Sequence, residues 1–330
     1  MDLLNRLKQF GKGSLAVAMS ATALAVSTPA AQAAYPERPI NLLVGFSAGG
    51  PTDTAARVLA EYLSAELGQP VVVNNKPGAG GLVAAKELLK SPPDGYTLYL
   101  ASNGIMTVAP ARYAKLEFDV QKDMVPIGTV AGYPHVLIVP PNSPIKSVGD
   151  LIAAAKKNPG GLNVAKVGNV NELTVAWLEK DANMDVTMIP YKGGAAVVSD
   201  LTSGRIDLAL VAPNVAFPLL DGNKARAIGA TSDNSHTRKR NIPSLKAAGL
   251  GSIDFYIWNG IVAPAGTSPD VVKTVSTALQ KVLAMPGLQE KLGLVFLDAV
   301  IGSPEDFNKL IQAETATWKK VAKEANLQPL

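Results

Sequence analysis

The stretch Asn41–Arg57 constrains the fold more than any other part of the chain. Its first residues, 41–44, form an apolar run typical of a buried strand. A glycine-rich turn follows at 45–50, and Pro51 then occupies a position that suits the start of a helix. Apolar residues recur at three- and four-residue steps beyond it, and Gly68 is placed to end the helix. A buried strand that leads through a glycine turn into a helix predicts an α/β protein with parallel strands.

This turn also predicts a binding site. A glycine-rich turn before a helix presents backbone N–H groups to an anion at the positive end of the helix dipole. Pro51 has no N–H, so the amides of Thr52 and Asp53 are the best donors, and Ser47 adds a hydroxyl. Phe46, Ala48 and Gly50 complete the predicted loop site. A plainer alternative is that the turn only links a strand to a helix, which is common in α/β folds.

A competing interpretation makes the same turn catalytic. Residues 45–49 fit G-x-S-x-G, the turn that carries the nucleophile of α/β-hydrolases, with Ser47 as the serine. Asp207 and His236 follow in the order that such a triad requires. Against this, the strand at 41–44 would be the first of the mature protein, and a hydrolase needs upstream strands and an upstream oxyanion loop. We therefore predict no enzyme and keep the serine hydrolase as the alternative.

The N-terminus has the pattern of a signal peptide. Residues 1–13 are basic, 14–26 are small and apolar, and Ala31-Gln32-Ala33 matches a cleavage site before Ala34. The predicted leader (1–33) takes three of the 31 basic and one of the 27 acidic residues, which leaves a mature net charge of +2. A bacterial protein with such a leader and no later span of apolar residues is expected in the periplasm.

Composition excludes several other classes. The chain has no cysteine, so disulfides, thiolate metal sites and a lipid anchor are ruled out. The two histidines, His135 and His236, have no partner at ligand spacing, and we predict neither a metal nor a cofactor. Scattered basic residues and few aromatics argue against nucleic acid. The glycines at 78–81 lack the G-x-G-x-x-G spacing of a dinucleotide site.

The rest of the chain repeats the alternation of strands and helices. Further strands are predicted at 70–74, 96–101, 162–167, 186–190, 206–211 and 225–231. Further helices are predicted at 82–90, 148–157, 172–181, 269–283 and 304–325. Loops at 102–104 and 168–171 are expected at the carboxyl edges of the strands, where ligands bind in open α/β sheets.

Two β-rich runs, at 126–139 and 253–264, interrupt this rhythm and predict two crossings between domains. We predict that domain I contains residues 34–133 and 258–330 and that domain II contains 134–257. Two parallel-sheet α/β domains joined by two crossing strands would enclose a ligand cleft and close on it by hinge motion.

Several motifs together resemble the Bug-type solute receptors of tripartite tricarboxylate transporters. They are Phe46-Ser47-Ala48-Gly49-Gly50-Pro51-Thr52-Asp53, Asn75-Lys76-Pro77-Gly78-Ala79-Gly80-Gly81, Pro93-Asp94-Gly95-Tyr96, Pro190-Tyr191-Lys192-Gly193 and Ala263-Pro264-Ala265-Gly266-Thr267. The resemblance implies a type II periplasmic-binding-protein fold that holds a carboxylate through backbone N–H groups, hydroxyls and waters. It also implies a monomer that serves transporter membrane subunits or a membrane sensor.

The second domain departs from the family pattern. The family has Ala-Ser-Ser-Gly-x-Gly where this chain has Ala165-Lys166-Val167-Gly168-Asn169-Val170, and Val211 stands where amino-acid binders have an acid. An apolar wall of this kind favours an aromatic or dicarboxylic acid over an amino acid or citrate. The predicted ligand set is Phe46, Ser47, Ala48, Gly50, Thr52, Asp53, Ser102, Lys166, Val167, Gly168, Asn169, Asn171, Val211, Asn214 and Trp258.

Two members of that set have open alternatives. Lys166 either meets a second carboxylate of the ligand or is a solvated lysine at a strand end. Trp258 either stacks on a ligand ring or is a tryptophan buried at the hinge.

Overall fold

The computed structural model describes residues 35–191 and 194–330. The strands are β1 (Ile40–Val44), β2 (Val71–Asn75), β3 (Thr97–Ser102), β4 (Met124–Tyr133), β5 (Val136–Val139), β6 (Asn163–Lys166), β7 (Thr187–Pro190), β8 (Leu208–Val211), β9 (Arg226–Ala230), β10 (Ile257–Pro264) and β11 (Asp298–Ala299). The helices are α1 (Pro51–Leu67), α2 (Leu82–Lys90), α3 (Ala109–Arg112), α4 (Val120–Asp123), α5 (Val148–Lys157), α6 (Gly168–Ala182), α7 (Gly194–Thr202), α8 (Pro213–Asp221), α9 (Ser235–Lys239), α10 (Pro269–Leu283), α11 (Pro286–Leu294) and α12 (Pro304–Glu324). A short 3₁₀ turn precedes α2, and a π-helical turn (Gly104–Val108) leads into α3.

These strands form two sheets. The first has the order β11-β4-β10-β3-β1-β2, and the second has the order β7-β6-β8-β5-β9. We call the first sheet with α1–α4 and α10–α12 the first lobe, and the second sheet with α5–α9 the second lobe. The predicted α/β fold with two sheets is confirmed. The domain boundaries at 133/134 and 257/258 stay a prediction.

Both sheets are mixed, which corrects the prediction of parallel sheets. β1 is parallel to β2 and β3, and β6 is parallel to β7 and β8. The crossing strands run the other way: β10 is antiparallel to β3 and β4, and β5 is antiparallel to β8 and β9. Antiparallel pairing needs no helical crossover, whereas the parallel strands β1 and β2 are joined through α1, and β6 and β7 through α6.

Helix ends with a local signal lie where the sequence predicts them. α2, α5 and α10 have the predicted bounds. The hydroxyl of Ser147 accepts a hydrogen bond from the amide of Asp150 at the start of α5, and Ser268 caps α10 in the same way. Gly68 adopts the left-handed conformation after α1, with a φ of 68°. A serine cap and a left-handed glycine act through nearest neighbours, which is why sequence alone reveals them.

Two predicted loops are instead helix starts. Residues 168–171 are the first turn of α6, and Gly104 begins the π-helical turn two residues after the end of β3. Helix α8 likewise begins at Pro213, two residues after β8. The polar first turn of α6 has no apolar periodicity. Helix α11, between the two long C-terminal helices, is a further element that the sequence reasoning missed.

The two crossings are tied together by one side chain. The hydroxyl of Thr231, just after β9, accepts a hydrogen bond from the amide of His135 at 3.0 Å and donates one to the carbonyl of Phe255 at 3.1 Å. Burial lowers the pKa of His135 to about 4, so this imidazole is neutral at pH 7. Thr231 thereby links the passage from β4 to β5 with the passage into β10.

Helix α12 joins the lobes on another side. It packs against β4 in the first lobe and against α6 in the second. The ring of Trp318 on α12 lies edge-on to Trp177 of α6 and to Phe255, with centroids 5.6 and 5.1 Å away. Within 35–191 and 194–330, no helix combines the length and the apolar character needed to cross a membrane.

Candidate functional site

The N-terminus of α1 has no side-chain cap. Gly50 occupies the cap position in an extended conformation and supplies no side-chain hydrogen bond, and Pro51 follows it. The first helical hydrogen bond runs from the amide of Thr54 to the carbonyl of Gly50 at 2.9 Å. In an α-helix the preceding N–H groups have no carbonyl within the helix to bond. The amides of Thr52 and Asp53 therefore have no acceptor within the helix, and their contact with a ligand stays a prediction.

The Asp53 carboxylate shapes the loop. It accepts hydrogen bonds from the Gly49 amide at 2.8 Å, from Arg57 Nε at 3.0 Å and from Asn75 Nδ2 at 2.9 Å. Burial by itself would raise the pKa of Asp53, but the hydrogen bonds from Arg57, Gly49 and Asn75 outweigh it, and the pKa lies below its usual value. The side chain is thus committed to the protein. Arg57 is ion-paired with this carboxylate.

The two glycine-rich loops support each other. Asn75 donates a further hydrogen bond to the carbonyl of Phe46 at 3.0 Å. A Cβ built on Gly45 would lie 2.7 Å from the Cα of Gly81 and 2.8 Å from the hydroxyl of Tyr99. That hydroxyl donates to the carbonyl of Gly81 at 3.2 Å. The loop at 78–81 therefore packs against the loop at 45–50 and supports it.

The rim of the α1 loop faces solvent. Ser47 and Ala48 are exposed, while Phe46 and Gly50 are partly buried. A Cβ on Gly50 would meet only the carbonyl of Ser47, at an ordinary contact distance of 3.7 Å. The fold therefore has room for a side chain at Gly50, and that side chain would stand at the start of α1.

Buried polar groups form the floor beside this helix start. The hydroxyl of Thr52 accepts a hydrogen bond from Asn259 Nδ2 at 3.3 Å, and Asn259 lies opposite Ser102 in the pairing of β10 with β3. The Ser102 hydroxyl is buried without a hydrogen-bond partner in the protein. Sequence reasoning missed Asn259, although a polar residue between apolar ones in β10 is a signal for it.

The first turn of α6 reaches the same floor from the second lobe. A Cβ on Gly104 would lie 3.3 Å from the Ser102 hydroxyl and 3.6 Å from the side chain of Val170. Val167 caps α6 without a side-chain hydrogen bond, so Gly168, Asn169 and Val170 form a second open helix start. The structure thus brings together the predicted groups around Ser102 and Gly168.

Asn171 holds this second helix start in place. Its Oδ1 accepts a hydrogen bond from the Val167 amide at 3.2 Å, and its Nδ2 donates to the carbonyl of Leu210 at 2.9 Å. The side chain is only 1% exposed. Both ends of the amide are used by the protein, so the predicted ligand contact of Asn171 is corrected to a structural role.

Lys166 is ion-paired. Its Nζ lies 2.6 Å from Glu172, whose other carboxylate oxygen lies 3.1 Å from Nη2 of Arg112. Burial would raise the pKa of Glu172, but Lys166 and Arg112 together hold it below its usual value. Arg112 also donates to the carbonyl of Gln328 at 2.5 Å. Lys166 is therefore neither a free cation nor a fully solvated lysine.

The prediction that Trp258 stacks on a ligand ring is wrong. The residue is 2% exposed, its Nε1 donates to Glu314 at 2.8 Å, and its ring packs edge-on against Phe307 with centroids 5.2 Å apart. It cannot stack on a ligand in this arrangement, and the buried alternative is confirmed.

Three further predicted site residues lie in the second lobe. Val211 is buried in its core and Val167 packs against that core, while Asn214 is exposed in the first turn of α8.

The hydrolase residues have other partners. The Asp207 carboxylate accepts a hydrogen bond from the amide of Asn163 at 2.8 Å. His236 lies 3.8 Å from Asp298, and its ring packs edge-on against Phe296. Neither contact orients a base towards Ser47, so the geometry does not support a triad.

Two further predictions concern absences and residues outside the described part. Among residues 35–191 and 194–330, no group of three or more His, Cys, Asp or Glu side chains is arranged to hold a metal ion. The predicted leader, with its cleavage site at Ala33/Ala34, and Lys192 and Gly193 of the fourth motif lie outside the described residues.

Comparison with known proteins identifies the family. Residues 55–327 match the family model for the tripartite tricarboxylate transporter family receptor, TctC. The chain belongs to this family. It is 33% identical over 316 residues to the UPF0065 protein in the tcbD-tcbE intergenic region of Pseudomonas sp. strain P51, with 94% of each chain covered. It is 32% identical over 303 residues to BugT of Bordetella pertussis, covering 91% of this chain and 93% of BugT.

Solved structures of TctC-like receptors share the fold. Rpa4515 of R. palustris with adipate is 31% identical, with a TM-score of 0.79 and coverage of 90% of this chain and 100% of that one. MatC of Rhodopseudomonas palustris with bound malate is 27% identical, with a TM-score of 0.74 and coverage of 87% and 99%. The predicted resemblance to the Bug receptors and the two-lobed fold of periplasmic solute-binding proteins are both confirmed.

Proposed function

We propose that this TctC-family chain is a periplasmic receptor for a small organic dicarboxylate and has no enzymatic activity. The observation that carries the proposal is the open N-terminus of α1, where the amides of Thr52 and Asp53 have no carbonyl to bond. Arg57, the cation nearest in sequence, is paired with Asp53. Backbone N–H groups and the helix dipole must therefore neutralise the bound carboxylate.

A second helix start is the reason to propose a ligand with two carboxylates rather than one. α6 begins without a side-chain cap, and its first turn meets the floor of the α1 site through Gly104 and Val170. A ligand that spans the lobes can place one carboxylate at each helix start, with its apolar middle near Val167. The relatives with adipate and malate carry ligands of this class.

The burial of Trp258 shifts the ranking of ligands. Without an exposed indole face, aliphatic dicarboxylates are favoured over the aromatic acids that the sequence suggests. Citrate and glutamate rank lower, because each brings a further polar group towards valine side chains. An unpaired polar group buried in this way costs roughly 1–3 kcal/mol. Titrations with adipate, malate, terephthalate, citrate and glutamate will establish the order.

Closure around the ligand is expected to use the two crossings that Thr231 links. The two lobes would act as domain I (34–133 and 258–330) and domain II (134–257). Small-angle scattering should show a smaller radius of gyration with saturating adipate. The closed receptor would then present its ligand to transporter membrane subunits or to a membrane sensor. An unchanged radius at saturation would contradict the closure.

The test of the site is a pair of glycine variants. Gly50→Val puts a side chain at the helix start, whereas Gly251→Val makes the same change where a Cβ meets nothing within 4 Å. We expect Gly50→Val to weaken adipate binding by about 30-fold or more, which corresponds to about 2 kcal/mol. Gly251→Val should bind as the wild type does. Retained affinity in a folded Gly50→Val protein would move the site elsewhere.

The receptor and hydrolase alternatives are separated by ester turnover. A receptor hydrolyses neither p-nitrophenyl acetate nor p-nitrophenyl butyrate, before or after Ser47→Ala. Turnover that disappears in Ser47→Ala would instead establish the serine hydrolase.

A further inference from the structure

A cavity of about 920 Å³ lies between the lobes, away from the helix starts described above. Trp177 and Phe255 line it from the second lobe, and Ile301, Leu310 and Glu314 line it from the first. Trp177 is nine residues beyond Gly168, so it stands about 14 Å along α6 from the proposed carboxylate site. The volume falls within the range of small-molecule pockets, roughly 300–1,000 Å³.

Glu314 is the distinctive group in this cavity. Its carboxylate accepts hydrogen bonds from Trp258 Nε1 at 2.8 Å and from the Thr107 hydroxyl at 3.2 Å, and both donors are neutral. In the described part of the chain, no Lys, Arg or His forms an ion pair with it. Glu324, on the same helix, is by contrast paired with Lys180. A largely buried carboxylate without a cation lacks the partner that such groups normally have.

The rest of the lining still favours a cation over an anion. Five carboxylates and two lysines line the cavity; Glu324 is paired with Lys180, and Asp254 is paired with Lys246, so the remaining lining charges are three carboxylates and Lys320. Ile301, which is 51% exposed, lies on the wall with Leu310 and gives an apolar body a surface to cover. Carboxylic acids would meet repulsion at Glu314, whereas an ammonium group would supply the missing charge.

We propose that this cavity is a second ligand site, which takes a primary organic amine with an aromatic or branched aliphatic body and pairs its ammonium group with Glu314. The site is distinct from the carboxylate cleft, and the proposal does not depend on the function proposed for that cleft. Because both lobes line the cavity, an amine bound there contacts the two bodies that hinge motion would separate.

Calorimetric titration with phenethylamine at pH 8 tests the pairing. We expect one site per chain in the wild type, no binding of the neutral analogue 2-phenylethanol, and none of 3-phenylpropionate at this cavity. Glu314→Gln keeps the shape and can still accept from Trp258, so it should fold and weaken phenethylamine by tenfold or more. Glu290→Gln removes an exposed helix carboxylate outside the cavity and should change nothing. Equal affinity in Glu314→Gln, or no binding by the wild type, would overturn the proposal.

The pH dependence gives a second readout. Burial raises the pKa of Glu314 to about 7, while its hydrogen bonds oppose the rise. Phenethylamine should therefore bind about tenfold more tightly at pH 8 than at pH 6, because a carboxyl with this pKa ionises between them. The other charged or titratable groups that face the cavity are Asp181 and Lys180 of α6, Asp254 and Tyr256 of the crossing, Asp298 of β11, and Lys320 and Glu324 of α12.

A filling variant keeps the proposal testable if Glu314→Gln fails to fold. Thr317 is partly exposed and lines the cavity. Thr317→Trp should occupy the space and abolish phenethylamine binding, while the Glu290→Gln control binds normally. Undiminished binding in Thr317→Trp, or affinity that does not rise from pH 6 to pH 8, would show that the amine does not pair with Glu314 in this cavity.

Discussion

Glu314 makes the stability of the protein depend on pH in an unusual direction. Burial disfavours the charged form and raises the pKa of Glu314 from its ordinary value of 4.5 to about 7 in the folded protein. Between these two values the folded state holds a proton that the unfolded state has released. The free energy of unfolding must therefore fall as pH rises through this window, and the stabilisation is fully present only below pH 4.5.

The raised pKa of Glu314 sets how much the free energy of unfolding changes with pH. A rise of the pKa from 4.5 to about 7 corresponds to about 3 kcal/mol, and most of this should be lost between pH 5 and pH 8. This is an upper bound, because the cavity beside Glu314 admits solvent. Glu314→Gln mimics the protonated side chain and removes the loss. Relative to the wild type, the free energy of unfolding of the variant should gain up to about 3 kcal/mol from pH 5 to pH 8.

Urea unfolding at pH 5, 6, 7 and 8 measures this gain. The difference between wild type and Glu314→Gln cancels the titration of groups that both proteins share. Glu290→Gln provides the matched control, and its difference from the wild type should stay constant across the range. If the curves of wild type and Glu314→Gln ran parallel from pH 5 to pH 8, the pKa of Glu314 would not be raised and the reasoning would be wrong.

Three further substitutions test the packing around the site. Gly45→Ala should lower the free energy of unfolding by about 1–3 kcal/mol through overpacking, and urea denaturation should show no such loss for Gly251→Ala, which has open space. Arg112→Met leaves Glu172 with one cation, and we expect about 3 kcal/mol of destabilisation in the same assay, since breaking a buried ion pair is costly. Thr231→Val removes both hydrogen bonds that link the crossings and should cost about 1–3 kcal/mol; an unchanged melting temperature would contradict the role of this hydroxyl.

Short-range signals account for what the sequence predicted well. The helix start that the sequence proposes as an anion site is defined by Gly50, Pro51 and the two amides that follow, all within one turn, and the structure has this helix start. Serine caps at Ser147 and Ser268 likewise place α5 and α10. These features depend on neighbours in the chain, which a sequence shows directly.

Features that depend on distant partners were not predictable. Lys166 is paired through Glu172 to Arg112, which is 60 residues away from Glu172 along the chain. Trp258 is buried because Phe307 and Glu314, on a helix much later in the sequence, cover it. The direction of β5 and β10 depends on which strand each meets after crossing between lobes, and local patterns do not encode that choice.

The most direct test of the central claim compares adipate with adipamide, its neutral diamide, in calorimetric titrations of the wild-type receptor. Both molecules have the same length and apolar middle, but only adipate brings the negative charge that the helix starts of α1 and α6 should neutralise. We expect adipate to bind at one site per chain and adipamide to bind at least 100-fold more weakly, since each lost charge removes a charge-assisted hydrogen bond. Equal affinity for the two, or no binding of adipate, malate or any other carboxylate tested, would contradict a carboxylate receptor.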